Sequence, residues 1–296
     1  MNEQNKHESL RSIIEKAVIV FVLGYGLHYF GYFIRTRYFG LLETLSIDEG
    51  ISHVLLYLGH VVFLSVMFLY AWAVKNDRKY FFSFAKGKLS RNFKFALIGA
   101  IVGFVQMGIC ISAAVLNGDL QVIPAAVVKI PVFIFAIIAV FIQASTEEIE
   151  SRGFVFGKMN CEGVPIVTAA VISSFFFSYL HMTNPGYGWI PLLCLFTAAM
   201  FYVLSYYYFK TIWFSCMAHM MWNFAEDFIF GLPNSGRPAA VSLFNTVVKN
   251  SSFFYDESFG IEGSFMAIMV NVLSCVAVVL IGRYIRKKNT KEINEL

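Results

Sequence analysis

Apolar residues run along this chain in eight blocks of 19–24 residues, at about 14–34, 51–74, 95–116, 125–145, 164–182, 189–209, 212–230 and 264–282. Polar residues gather between them. A helix rises 1.5 Å per residue, so a block of about 20 apolar residues covers a hydrocarbon layer of about 30 Å. The pattern predicts an all-α polytopic membrane bundle of about eight transmembrane helices. Residues 1–296 read as a single integral membrane domain with no room for a soluble one.

The interruptions in this pattern carry the chemistry. "QASTEEIESRGFVFG" follows the fourth block directly, placing Glu147, Glu148, Glu150 and Arg152 at its end. Ionisable groups are costly in a bilayer and mark candidate functional sites. Folding the chain at "NCEGVP" (160–165) brings residues 147–148 level with 177–181, so His181 of "FFFSYLHM" faces the glutamates. The seventh block carries "AHMMWNFAED", in which His219 and Asn223 stand four apart and share one helix face. Glu226 and Asp227 continue that face. Glu148 and Arg152 are also four apart and can pair, which leaves Glu147, rotated by about 100°, as the free carboxylate.

Each residue also has a plainer reading. "STEE" can be a capping box, with Ser145 at a helix start and Glu148 reaching back. A lone His181 beside "TNPG" reads as a wet interfacial histidine, and a lone His219 or Asn223 as interhelical glue. His28, His53 and His60 lack acidic partners at helical spacing and read as structural. Lys129 reads as packing or pairing. The joint arrangement of Glu147, Glu148, Arg152, His181, His219 and Asn223 is what favours a site.

Composition sharpens the class. The chain is 58% hydrophobic and 14% charged, against about 45–50% apolar and about 25% charged in soluble domains. Lys and Arg number 18 on one set of connections and 4 on the other, with Lys129 inside a block. Basic residues stay on the cytoplasmic side, so both termini are expected there. The asymmetry accounts for the net charge of +4 without nucleic acid. The start of the chain lacks a small-residue cleavage site and reads as a retained anchor. The five cysteines show no paired spacing and imply neither disulfide nor thiolate metal site. Loop 75–94 interleaves basic and aromatic residues and suits an interfacial helix on anionic lipid. Residues 231–263 are too long for a simple connector and read as a lid or vestibule.

The motifs together resemble the CPBP family of intramembrane proteases, which includes the CAAX-processing endopeptidases and bacteriocin-immunity relatives. "EEIESR" fits EExxxR, "FSYLH" fits FxxxH and "HMMWN" fits HxxxN, in the family's order, within a core at 125–230. "FGIEGS" at 259–264 is similar to the approach to the last span in bacterial members. The resemblance implies an intramembrane endopeptidase acting on membrane-associated protein or peptide substrates. Glu147 would activate water, His181 would help position it, and His219 with Asn223 would line the oxyanion side. Glu148 and Arg152 would hold the site or contact substrate. Prenylated substrates belong to eukaryotic members, whereas this compact chain reads as a multi-pass protein of a bacterial plasma membrane. A non-proteolytic immunity or scaffold protein is the alternative on the same fold. A transporter is disfavoured because no internal repeat is visible. The family has also been labelled metalloprotease, and zinc would take Glu147, His181 and His219 as ligands. A metal-independent mechanism is favoured, since "HExxH" is absent and His181 has no obvious acceptor for its second ring nitrogen.

Overall fold

The computed structural model describes residues 9–44 and 47–294; residues 1–8 of the expected amino-terminal anchor lie outside them. The chain is an all-α polytopic bundle. Its helices are α1 (Leu10–Glu43), α2 (Glu49–Leu58), α3 (His60–Ala73), the short α4 (Arg78–Phe81), α5 (Leu89–Leu116), α6 (Ile130–Glu148), α7 (Gly157–Cys161), α8 (Ile166–Tyr179), α9 (Trp189–Phe209), α10 (Trp213–Phe224) and α11 (Phe265–Asn294). Two strands, β1 (Leu120–Pro124) and β2 (Phe244–Val248), pair antiparallel with Leu120 opposite Val248.

Among the described residues, six stretches are long and apolar enough to cross a membrane: Leu10–Gly40, Glu49–Ala73, Leu89–Leu116, Ile130–Cys161, Trp189–Phe209 and Phe265–Lys288. The blocks at 164–182 and 212–230 form shorter helices. α8 has 14 residues, and the 12 of α10 continue into a π-helical turn at Ala225–Ile229. Both pack against several neighbouring helices, and α8 keeps one exposed apolar face at Val167, Val171 and Phe175.

Burial is inverted relative to a soluble protein. Val18 and Val22 of α1, Ile101 and Val105 of α5, Ile134 and Phe135 of α6, and Leu273 and Leu280 of α11 are exposed. Gln143, Glu148, Arg152, His219, Asn223, Glu226 and Asp227 are buried. Apolar side chains meet lipid, while the polar groups satisfy one another inside.

Two close approaches fix the helix that carries His219. A Cβ on Gly99 or Gly103 of α5 would lie 2.3 Å from the Phe214 carbonyl oxygen or 2.1 Å from that of Ala218. Glycines four apart thus let the α5 and α10 backbones touch. The hairpin between α6–α7 and α8 turns at Gly163, which has φ 90°. The expected register is present: the Ser173 hydroxyl donates to the Ser151 carbonyl at 2.7 Å.

Several expectations give way. Ser145 lies in the middle of continuous helix, since α6 runs through the π-helical segment Ile149–Phe156 into α7, so "STEE" caps nothing. The fourth span begins at Ile130, because residues 120–124 form β1. Lys129 therefore precedes the helix and pairs with Asp48 at 2.6 Å. Loop 75–94 is not one surface helix. Its basic side chains Lys79, Lys86 and Lys88 stay exposed, but Tyr80 and Phe81 turn inward, and the Phe81 ring stacks on Phe154 at 4.7 Å. Burying two aromatic rings outweighs laying them on lipid headgroups. Residues 231–263 contribute β2 and one wall of the central cavity.

Candidate active site

A cavity of about 930 Å³ opens between α1, the α2–α3 break, α6, the end of α8, α10 and the 231–263 segment. Glu147, His181, His219 and Asn223 all line it, whereas Glu148 and Arg152 lie behind it. The division of the glutamates follows from the helix: the Glu147 side chain is 12% exposed and that of Glu148 is fully buried.

Arg152 stands 3.2 Å from Glu148 as the i+4 pair expected, also fully buried. Its guanidinium donates to the Ala199 carbonyl of α9 at 3.2 Å and lies over the Phe177 ring of α8 at 4.6 Å. The same Glu148 oxygen lies 3.0 Å from Nδ1 of His219. A carboxylate accepts, so Nδ1 carries the hydrogen and Nε2 is the ring nitrogen turned to the cavity. Nε2 stands 3.7 Å from Oε2 of Glu147. The imidazole is stacked on Tyr202 with centroids 5.2 Å apart. His219 is thereby fixed in orientation by Glu148 and in plane by Tyr202.

Glu147 has no Lys or Arg partner among the described residues; its neighbours are Gln143 and two histidines. Gln143, one turn earlier, donates from Nε2 to Oε1 at 2.6 Å and accepts from Nδ2 of Asn223 at 3.0 Å. One Asn223 hydrogen is committed to this chain, leaving the other for the cavity. Gln143 escaped the sequence reading, although its i+4 spacing to Glu147 is legible.

His181 follows the last turn of α8. Its Nδ1 donates to the Phe177 carbonyl at 2.9 Å, supplying the acceptor that the sequence did not reveal. The three histidines read as structural also have partners, found in space rather than at helical spacing. His28 bonds Glu150 at 3.0 Å and His53 bonds Asp227 at 2.7 Å, tying α1 and α2 to the core. His60 lies with Nε2 3.6 Å from Glu147 itself. Nothing in the sequence pairs residue 60 with residue 147.

Beyond Asn223 the helix continues through the π-helical turn Ala225–Ile229 toward the 231–263 segment, where Glu226 points, while Asp227 turns to α2 and bonds His53 and Tyr57. Oε1 of Glu226 accepts from the Ile261 backbone at 2.9 Å. Beside it Gly260 has φ 90°, and a Cβ there would stand 2.1 Å from the Pro233 carbonyl oxygen. The "FGIEGS" segment is thus pinned to α10 through a glycine that only a bare backbone satisfies.

Among the described residues, no group of three or more His, Cys, Asp or Glu is arranged to hold a metal ion.

Residues 129–225 match the model of a family described as type II CAAX prenyl endopeptidase, Rce1-like. No curated protein and no solved structure matches the chain. The matched segment holds Glu147, Glu148, Arg152, His181, His219 and Asn223 together. All three motifs thus fall inside the third of the chain that is similar to an Rce1-like CAAX endopeptidase, consistent with the CPBP resemblance of its sequence.

Proposed function

We propose that the chain is an intramembrane endopeptidase in which Glu147 activates water against a peptide carbonyl. The observation that carries this reading is a carboxylate at the cavity wall with no Lys or Arg partner among the described residues, held by Gln143 and flanked by imidazoles. Glu147 takes a proton from water as the oxygen attacks, and later returns it to the leaving amine. A base of this kind contributes about 10²–10⁴-fold. His181, with Nδ1 bonded to Phe177, presents Nε2 as an acceptor on the cavity wall beside the attacking water. His219 and Asn223 line the oxyanion side: Asn223 donates through its uncommitted amide hydrogen, and Glu148 holds the His219 ring with Nε2 toward the cavity. Glu148 and Arg152 position His219 rather than react.

The mechanism is metal-independent, so protein stripped by chelation keeps its activity. Zinc at one per chain, with activity lost on chelation and restored by zinc alone, contradicts it. The substrate is a membrane protein or membrane-associated peptide. Quantifying proteins retained and peptides released in the native membrane, for parent and Glu147→Gln, tests the reading. A protein that accumulates uncleaved only in the variant is a substrate. A parent phenotype preserved in the variant refutes proteolysis and supports the scaffold role.

A further inference from the structure

We infer that His60, outside the segment that matches the family, is a positioning residue for the water that Glu147 activates. This inference rests on the protease reading. His60 begins α3 immediately after Gly59, the break in the second crossing. Its Nδ1 lies 3.0 Å from the Tyr57 carbonyl oxygen, which only accepts, so Nδ1 carries a hydrogen. Nε2 faces Oε1 of Glu147 at 3.6 Å.

That separation excludes a closed ion pair, in which imidazolium and carboxylate stand about 2.7–2.9 Å apart. It also exceeds a direct hydrogen bond of about 2.7–3.2 Å. A neutral ring presents a lone pair at Nε2, and two acceptors facing each other need a hydrogen donor between them. One water with a hydrogen directed at each satisfies both. Its oxygen then keeps its lone pairs for the substrate carbonyl. The hydrogen aimed at Glu147 is the one abstracted; the one aimed at His60 stays on the oxygen and fixes the direction of attack.

The surroundings hold His60 in this pose. Its ring stacks on Phe63 at 5.4 Å with an interplanar angle of 22°. On the same Phe63 lie the His28 ring at 4.9 Å and the Arg35 guanidinium at 5.7 Å. Arg35 is itself anchored to the Leu56 carbonyl in the turn before the break. An interruption in a membrane helix, with Arg35 and the tilted His28 ring packed on the same Phe63, serves to aim one nitrogen.

The two ring nitrogens separate the positioning role from a structural one. An Asn amide reproduces Nδ1 and keeps the bond to Tyr57, while a Gln amide reaches the Nε2 position and keeps an acceptor for the water. With peptide cleavage measured per folded protein, His60→Asn and His60→Ala are expected to lose about tenfold in kcat with KM unchanged, and His60→Gln to retain most of it. Asn as active as the parent, or Gln as impaired as Ala, overturns the inference. Imidazole 15N spectra of the unsubstituted protein give a second readout: an Nε2 of His60 without a hydrogen is expected, and a protonated Nε2 contradicts it. If cleavage by the parent survives Glu147→Gln, the protease mechanism fails first. If cleavage depends on Glu147 and His60→Asn is fully active, His60 alone is misassigned.

Discussion

Replacing Arg152 with Met probes the buried frame behind the site. Glu148 and Arg152 are both fully buried and 3.2 Å apart. Removing the cation leaves a carboxylate in the protein interior with only His219 beside it. Breaking such a pair costs about 3–5 kcal/mol. Contacts with Phe177 and Tyr202 are lost as well. At about 2–4 °C per kcal/mol for a chain of this size, the thermal midpoint falls by roughly 6–20 °C. The double variant Arg152→Met with Glu148→Gln removes the stranded charge and recovers most of that loss. It does not recover activity, because the carboxylate that fixes the His219 ring is gone. The assay is thermal unfolding in detergent alongside peptide cleavage on the same preparations. A single variant that melts within about 1 °C of the parent refutes the argument; so does a double variant that cleaves at the parent rate.

Further outcomes follow from other parts of the fold. Gly103→Val puts a side chain where a Cβ already stands 2.1 Å from the Ala218 carbonyl oxygen, beside His219. It should cost at least about 1–3 kcal/mol and depress cleavage, whereas Gly108→Ala, with nothing within 4 Å, should be silent in both thermal unfolding and activity. Burial pushes the Glu262 carboxyl above its ordinary value of 4.5, against the opposing hydrogen bond from Ser235. An acid raised in the folded state contributes stability below its unfolded pKa and loses it as pH rises through the folded one. Glu262→Gln should therefore gain on the parent in melting temperature as pH rises above the ordinary carboxyl value of 4.5; a constant difference contradicts this. The Lys and Arg asymmetry predicts both termini and loop 75–94 on the cytoplasmic side, so a single cysteine replacing Lys86 should resist an impermeant reagent from outside and one replacing Asn250 should react. The reverse pattern inverts the topology.

Most of the bundle was legible because lipid demands long apolar blocks, and the blocks at 189–209 and 264–282 begin within a residue of α9 and α11. The facing of Glu148 with Arg152 was legible for the same reason that helical period is, since i+4 survives into the π-helical segment. Other features were not. The strands β1 and β2 are five residues each and 124 positions apart from Leu120 to Phe244, with no local pattern to announce their pairing. Tyr80 and Phe81 read as interfacial because the sequence cannot show that Gly153 leaves room for the Tyr80 carbonyl. The bond of Asp227 to α2 was not legible because a 3.6-residue period assumes no π turn and His53 is distant in sequence. His60 escaped because its relation to Glu147 is wholly tertiary, across a helix break whose direction no periodicity encodes.

The central claim is that Glu147 is the base and that its neighbour Glu148 serves only to hold His219. Purified Glu147→Gln keeps the size, shape and hydrogen bond to Gln143, so the parent melting behaviour should persist. Cleavage of a peptide substrate in detergent or nanodiscs should fall by at least about 10²-fold, the loss expected for a missing general base. Folded Glu147→Gln that cleaves at the parent rate would contradict the account.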